Sequence, residues 1–183
     1  MTDKELRWVQ KAKNGNQQAL NKLLKAHYES IYLLAYSYVK NEADALDVVQ
    51  EAAYKAVNGM SRLQQEEYFS TWLNRIIINE AKQLLVRRQR ENARQTSDEE
   101  AMASLVDLAE TQEHDSVLMQ EIHGLDEKYE EVLLLFYFND LAIKEIASVL
   151  GTNENTVKTR LARGRELLRL RLIAQGYERQ GLK

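Results

Sequence analysis

The segment AIKEIASVLGTNENTVKTRLARGRELLRLRL, residues 142–172, decides the fold of the carboxyl-terminal part of the chain. Apolar residues at helical spacing are followed by Gly151 and then by a second helical pattern over 154–174, which is the spacing of a helix-turn-helix. Gly151 ends the first helix, and Thr152 or Asn153 caps the second. In such a unit the second helix can lie in the major groove of DNA.

This second helix is strongly basic. From Thr156 to Arg171 the chain has six Lys and Arg and one acidic residue, in a protein whose net charge is -3. Lys and Arg reach phosphates and guanine edges, and hydroxyl groups add short contacts, so the candidate DNA contacts are Thr156, Lys158, Thr159 and Arg163. The alternative is a solvated basic face on an ordinary helical bundle. Arg165 and Arg169 are expected to pair with Glu166 or with the backbone instead.

A second basic patch lies on a predicted helix over 70–90. Its cations alternate with amides, a combination that suits phosphate and base-edge contacts together. The cations are Arg75, Lys82, Arg87, Arg88 and Arg90, and the amides are Asn74, Asn79 and Gln83. Aromatic residues precede and begin this helix, namely Tyr68, Phe69 and Trp72. Such rings can stack on unpaired bases or pack in the protein core, and the sequence leaves both readings open.

An acidic helix face forms the third feature. Asp44, Asp47 and Glu51 lie on successive helical turns, and Gln50 lies beside Glu51. This face could dock a basic protein surface. The alternative is that the first acids only stabilise the helix start through the macrodipole.

The composition predicts an all-α fold. Among 183 residues there are seven Gly and no Pro, which disfavours a sheet-rich fold with many tight turns. Acidic residues concentrate in 91–124, with one Lys or Arg against nine Asp or Glu, and this stretch lacks a sustained helical period. We therefore expect two small helical domains, 1–91 and 119–183, joined by a flexible acidic linker at 92–118.

Finer expectations follow from the apolar periods. They predict helices at 3–13, 20–38, 44–58, 70–90, 127–138, 142–150 and 154–174, with part of 113–124 also helical. In the third helix the expected buried face is Leu46, Val49, Ala53 and Val57. Gly59 is the expected left-handed cap of this helix, and Ser70 is the expected N-cap of the next.

Several functional classes are disfavoured. With no Cys there is no disulfide or thiolate metal site, and no catalytic or nucleotide-binding motif is present. His114 and His123 lie near acids in the linker region, but we expect no metal and no cofactor. The amino terminus lacks the apolar core of a signal peptide, and we expect a cytoplasmic protein.

These motifs resemble those of the extracytoplasmic-function sigma factors of bacterial RNA polymerase. The family's acidic signature corresponds here to Asp44, Ala45, Asp47, Gln50 and Glu51. Its F-x-x-W-L-x-x-I-x-x-N signature corresponds to Phe69, Trp72, Leu73, Ile76 and Asn79. Its carboxyl-terminal signature runs from Glu145 to Leu168, and the three motifs occur in the family's order around an acidic linker. Departures are Leu125-Asp126 where Leu-Pro is common, Asn155 in the turn, and the small Ala162.

The resemblance implies roles for these residues. Core-polymerase contact falls to Asp44, Asp47, Gln50 and Glu51. The first domain would capture the minus-ten element, with Asn79 and Gln83 as base readers. The implied contacts with this element are Arg62, Tyr68, Phe69, Trp72, Arg75, Asn79, Lys82, Gln83 and Arg87. The minus-thirty-five element falls to Thr156, Lys158, Thr159, Arg160, Ala162 and Arg163. An anti-sigma factor, often membrane-anchored and released on an envelope or stress signal, is the further partner implied.

The chain is therefore interpreted as an initiation factor that performs no bond chemistry. It would bind core polymerase, direct it to specific promoters and help to open the duplex. Two alternatives remain at this point. A stand-alone helix-turn-helix regulator would bind duplex DNA without polymerase, and a helical enzyme would need a pocket of convergent titratable residues.

Overall fold

The helices form where the sequence supplies both an apolar stripe and an end signal. The computed structural model describes residues 1–95 and 117–177, and the regular elements there are helices, which confirms the all-α class. Residues 96–116, which belong to the predicted linker at 92–118, lie outside the described residues. The α-helices are α1 (Asp3–Lys13), α2 (Gln17–Val39), α3 (Glu42–Gly59), α4 (Phe69–Gln95), α5 (Val117–His123), α6 (Glu127–Tyr137), α7 (Ile143–Leu150) and α8 (Glu154–Ala174). Two short 3-10 turns, Met60–Arg62 and Glu66–Tyr68, lie between α3 and α4.

Polar side chains cap the helix starts. Asn41 accepts a hydrogen bond from the Asp44 amide at 3.0 Å and begins α3, and Asn153 accepts one from the Thr156 amide at 2.8 Å and begins α8. Each cap satisfies a backbone donor that has no partner within its helix. Gly151 ends α7 at φ 63°, a left-handed conformation that glycine adopts without steric cost.

The buried face of α3 differs from the one expected. The buried residues are Asp44, Ala45, Val48, Val49, Ala52 and Ala56, whereas Val57 is 49% exposed. Small alanine side chains line this face because α3 packs closely on α2 and α4. Of the expected face, Val49 is buried and Leu46 and Ala53 are half-buried, so the rotation predicted from the stripe is only partly correct.

Two expected helix ends are also corrected. Gly59 has φ -98° rather than a left-handed conformation, and the chain continues from it into the Met60–Arg62 turn. A Cβ atom at Gly59 would lie 3.0 Å from Trp72 Cζ2, so a side chain at this position would require the indole ring to shift. Ser70 lies inside α4, which begins at Phe69, and its carbonyl accepts a hydrogen bond from Asn74.

The two halves of the chain pack against each other. In the amino-terminal half α2 lies against α1, α3 and α4, and in the carboxyl-terminal half α8 lies against α6 and α7. Helix α6 also packs on α2, and α7 packs on α4. Fully buried residues such as Leu34 and Ile77 in one half, and Leu133 and Ile146 in the other, belong to one continuous apolar cluster. The outer faces of α3, α4 and α8 remain accessible.

Candidate functional site

The helix-turn-helix presents one face of α8 outward. Val157 and Leu161 are buried, and Gly164 is buried where α8 crosses α6. A Cβ atom at Gly164 would lie 3.3 Å from Leu133 Cδ1, so the missing side chain permits the close approach of the two helices. These inward positions fix the rotation of α8, and the opposite face is free to meet a ligand.

Most of the predicted contacts on α8 lie on that outer face. Lys158, Thr159, Ala162 and Arg163 are exposed, and Thr156 is half-buried at the first turn. Arg160 differs, because its guanidinium pairs with Glu131 of α6 at 3.0 Å. Of the two arginines expected to pair with Glu166 or the backbone, Arg169 lies 2.8 Å from Glu166, whereas Arg165 is exposed. Arg163 is an accessible cation in the first half of the helix.

A second cationic face runs along α4. At three- and four-residue steps it exposes cations and amides, which form a shallow depression of about 530 Å³. The lining residues are Asn79, Lys82, Gln83, Val86, Arg87 and Arg90. Arg75 lies one turn before this depression and is also exposed. Two of the three predicted amides therefore share one accessible surface with cations, which supplies the donors and acceptors that phosphates and base edges require. Asn74 is 2% exposed and Arg88 pairs with Asp44, so the prediction that these two belong to the patch is corrected.

The aromatic residues at the start of α4 divide between core and surface. Phe69 is 0% exposed, with its ring centroid 5.6 Å from that of His27 and 6.0 Å from that of Trp72. A ring buried on all sides offers no face to a base, so the predicted DNA contact of Phe69 is corrected to a core role. Trp72 is half-buried, and Tyr68 is 46% exposed beside the exposed Arg62.

The loop before α4 is fastened to α1, which the sequence did not suggest. Lys13 Nζ lies 2.5 Å from Glu66 Oε1 and donates to the Gln64 carbonyl at 3.3 Å. The hydrogen bond from Lys13 lowers the pKa of Glu66 from its ordinary value. An ion pair between residues more than fifty positions apart leaves no local signal in the sequence.

The acidic face of α3 is partly accessible. Asp47, Gln50 and Glu51 are exposed and line a depression together with Tyr54 and Arg87. They form a surface on which acidic and amide groups could meet a basic protein.

Asp44 does not belong to this exposed surface. Its side chain is 3% exposed and forms an ion pair with Arg88 of α4. The predicted polymerase contact of Asp44 is therefore corrected to a role in joining α3 to α4. Lys55 and the buried Glu80 form a second such tie, at 2.5 Å.

Buried carboxylates lie where the two halves meet, and sequence reasoning missed them. Glu131 Oε2 accepts a hydrogen bond from the Tyr38 hydroxyl at 2.6 Å, and Glu130 Oε2 lies 2.5 Å from Lys40 Nζ. His123 Nδ1 lies 2.6 Å from the other Glu130 oxygen. Burial raises the pKa of Glu131, with hydrogen bonding from Tyr38 partly offsetting it, and burial together with the Glu131 charge raises the pKa of Tyr38. The available signal was that both acids precede the apolar run VLLLF on one helix.

Helix α7 meets the start of α4 at the same junction. Thr71 Oγ1 donates to Glu145 at 3.0 Å, and the Arg75 guanidinium donates to the Ser148 hydroxyl at 2.8 Å and to its carbonyl at 3.1 Å. We call the four contacts Tyr38–Glu131, Lys40–Glu130, Thr71–Glu145 and Arg75–Ser148 the seam.

Other kinds of site are not seen in the described part of the chain. In residues 1–95 and 117–177 no group of three His, Asp or Glu side chains could hold a metal ion. Within the same ranges no helix is long and apolar enough to cross a membrane.

Comparison with known proteins gives concordant matches to both halves. The family model described as Sigma-70 region 2 matches residues 23–91, and the one described as Sigma-70, region 4 matches residues 116–168. The chain is 35% identical to the RNA polymerase sigma factor SigV of Bacillus subtilis (strain 168), over 81% of this chain and 88% of that protein. It is 30% identical to the ECF RNA polymerase sigma factor SigW of the same organism, over 90% of this chain and 94% of that protein.

A solved structure has the same fold. It is the structure of CnrH in complex with the cytosolic domain of CnrY, and its matched chain is 25% identical to this chain with a TM-score of 0.64. The match covers 94% of this chain and 99% of that one.

Proposed function

The chain belongs to the extracytoplasmic-function RNA polymerase sigma factors, and from this premise we propose which surfaces bind polymerase and which read the promoter. As a sigma factor it binds core RNA polymerase and directs it to promoter DNA. The observation that carries the assignment of surfaces is the separation of charge on the exposed helix faces. Helices α4 and α8 present cations, whereas α3 presents acids and an amide.

The cationic face of α4 is proposed to bind the minus-ten element. Asn79 and Gln83 carry amides that can pair with base edges, and they lie between cations that suit phosphates. Tyr68 and the accessible part of Trp72 would stack on unpaired bases at the end of this face. The remaining proposed contacts are Arg62, Arg75, Lys82 and Arg87.

The outer face of α8 is proposed to read the minus-thirty-five element in the major groove. Lys158, Thr159 and Arg163 are the principal contacts, with Thr156 at the helix start. Ala162 lies on the same face and offers only a methyl group, which suits a thymine methyl. Arg160 would contact DNA only after leaving Glu131.

The exposed part of α3 is proposed to dock on core polymerase through Asp47, Gln50 and Glu51. Asp44 would support this docking indirectly, because its pairing with Arg88 holds α3 against α4. The surface that meets polymerase and the surface that meets the minus-ten strand are thus proposed to be rigidly joined.

The domain limits 1–91 and 119–183, with a linker at 92–118, remain part of this proposal. Two weak recognition surfaces on one tether supply affinity together through effective concentration. We also propose that an anti-sigma factor, which could be membrane-anchored, holds the protein inactive. This proposal is supported by the similar CnrH, whose structure was solved in complex with the cytosolic domain of CnrY. We also infer that the protein catalyses no reaction itself and acts in the cytoplasm, where polymerase and promoters are.

Run-off transcription with purified core polymerase on a pooled promoter library tests the proposal. The protein should produce template-specific transcripts that are absent without it. Arg163→Ala should weaken them about fivefold to 150-fold, since one good base contact contributes about 1–3 kcal/mol. Core binding should not change. Arg165→Ala, at an exposed cation on the same helix, is the matched control and should have little effect.

Two results would contradict the assignment. Tight sequence-specific duplex binding by the protein alone, with no polymerase-dependent transcript, would indicate a stand-alone regulator. Loss of core binding in Arg163→Ala would show that α8 is not confined to DNA recognition.

A further inference from the structure

The junction between the two halves is built like an interface with an apolar centre. Leu33 of α2 is buried together with Met119 and Ile122 of α5 and Leu134 of α6. These four residues come from both sides of the linker, and none is more than 8% exposed. Separation of the halves would expose their side chains to water, so the packed arrangement is favoured by the hydrophobic effect.

Charged groups around this centre are matched across the junction. Glu130 and Glu131 are 0% and 7% exposed, and across the junction they meet Lys40, directly after α2, and Tyr38 of α2. Within their own half they also meet His123 and Arg160. A buried carboxylate that loses one of its hydrogen-bond donors is destabilised, so the pairs across the junction favour one particular docking of α6 on α2. Such matching indicates a specific intramolecular surface rather than accidental contact between tethered domains.

The docked arrangement covers one end of the proposed minus-ten surface. Helix α7 lies against the start of α4, where Glu145 binds Thr71 and Ser148 binds the Arg75 guanidinium. An Arg75 engaged in this way has fewer donors to offer a phosphate. A promoter strand that follows α4 as far as Arg75 must therefore displace α7.

The same arrangement is too small to span a promoter. The minus-ten and minus-thirty-five elements lie about 25 base pairs apart, which is about 85 Å of duplex at about 3.4 Å per base pair. A compact body of about 160 residues has a radius of gyration of about 15 Å, and hence a diameter of about 40 Å. The 21 residues from 96 to 116 can reach about 70–75 Å when extended, so separated halves can cover the distance.

We propose that the seam is an intramolecular latch: the carboxyl-terminal half docks on α2 and α4 of its own chain, covers the start of the minus-ten surface and must separate before promoter binding. This inference rests on the proposed function, because it assumes that α4 and α8 read the two promoter elements. It assigns the free protein a self-inhibited state that requires no second protein.

Distance measurement between two spin labels tests the latch in the full-length protein. The chain has no Cys, so Lys25→Cys on α2 and Glu154→Cys on α8 give two unique labelling sites, both exposed and outside the seam. The unaltered seam should give one short distance population. Tyr38→Phe, Thr71→Val and Ser148→Ala each remove a side-chain hydrogen bond across the seam. Together they should raise the open-to-closed ratio at least about tenfold, because the loss of a single hydrogen bond to a charged group already corresponds to about that factor.

The matched control for this experiment is Tyr28→Phe, at an exposed tyrosine on the same helix as Tyr38. It should leave the distance distribution unchanged. A broad, long distribution in the protein with an intact seam, or no change in the triple variant, would overturn the latch. A short distance that disappears on dilution with unlabelled protein would also overturn it, because the contact would then be between molecules.

Reversible locking tests the consequence for transcription. Gln65, in the loop before α4, and Lys144 of α7 are exposed and line the same groove. Gln65→Cys with Lys144→Cys therefore provides two thiols for a cleavable bifunctional reagent whose length matches their separation. The joined protein should lose promoter-dependent transcription, and cleavage should restore it. Equal transcription before and after cleavage would overturn the proposal. If the cleaved protein and the original protein both fail to transcribe, the proposed function fails, and the spin-label distances still decide the seam.

Discussion

Substitution of Phe69 tests whether its ring belongs to the protein core or binds DNA. Its ring is 0% exposed and packs on His27 and Trp72. Truncation of a buried Phe to Ala costs about 3–5 kcal/mol through lost burial and a residual cavity. For a chain of this size each kcal/mol lowers Tm by about 2–4 °C, so Phe69→Ala should lower it by about 6–20 °C.

The comparison variant is Tyr68→Ala, one residue earlier and 46% exposed. It should change Tm by no more than a degree or two, because exposed substitutions usually stay within about 0.5 kcal/mol. If Tyr68 stacks on an unpaired base, its loss should weaken binding of a minus-ten single strand by the holoenzyme about five- to a hundredfold. Thermal unfolding by circular dichroism and strand binding by fluorescence anisotropy measure the two effects separately.

A different outcome would refute the reasoning. If Phe69→Ala unfolds within about 2 °C of the original protein while strand binding is lost, the ring is not part of the core in solution. Phe69→Leu provides a further check, since it keeps most of the apolar volume. It should recover most of the stability that Phe69→Ala loses, which a base-stacking role does not predict.

Three further predictions concern stability and docking. Asp44→Ala should lower the free energy of unfolding, measured by urea denaturation, by about 1–3 kcal/mol, because it removes one partner of the α3–α4 ion pair. Asp47→Ala, at an exposed position, should leave that free energy unchanged and weaken core binding in a pull-down titration. Asn153→Ala should cost about 1 kcal/mol through loss of the α8 cap, and Asn155→Ala, whose side chain makes no capping bond to α8, should cost much less in the same assay. Burial lowers the pKa of His27, and the nearby Glu5 charge only partly offsets this. The free energy of unfolding should therefore be highest above the unfolded pKa of about 6.5 and should fall as pH drops below it. His27→Gln should flatten this dependence in urea titrations between about pH 8 and pH 5.

Helix positions followed from local signals in the sequence. Helix α8 begins at Glu154 and ends at Ala174, as expected, because Asn153 caps its start and a continuous helical period defines its length. The turn at Gly151 followed equally directly from the residue's conformational freedom. Such signals act over one or two turns, so the sequence displays them openly.

The rotation of α3 could not be obtained in the same way. Its buried face consists largely of Ala45, Ala52 and Ala56, which contribute little to an apolar stripe and yet allow neighbouring helices to approach. A pattern that weights large residues therefore selects Leu46 and Val57 instead. The information lies in the shapes of α2 and α4, not in the period of α3.

The sequence predicted which helices carry the candidate surfaces, but not which residues are exposed on them. Exposed cations on α4 and α8 followed from helical spacing, whereas the burial of Phe69 and Asp44 depends on which helices pack beside them. Glu130 and Glu131 show the same limit, because their partners Lys40 and Tyr38 lie ninety or more positions away. Long-range pairing of polar groups is decided by the tertiary fold.

The contact of Lys13 with Glu66 bears on how chimeric initiation factors should be assembled. The matched region 2 begins at residue 23, but α1 lies before it, buries Val9 and Ala12, and anchors the loop that precedes α4. A hybrid joined at residue 23 would pair that loop with a foreign first helix. Promoter-swapping designs should therefore transfer residues 1–22 together with the region they support.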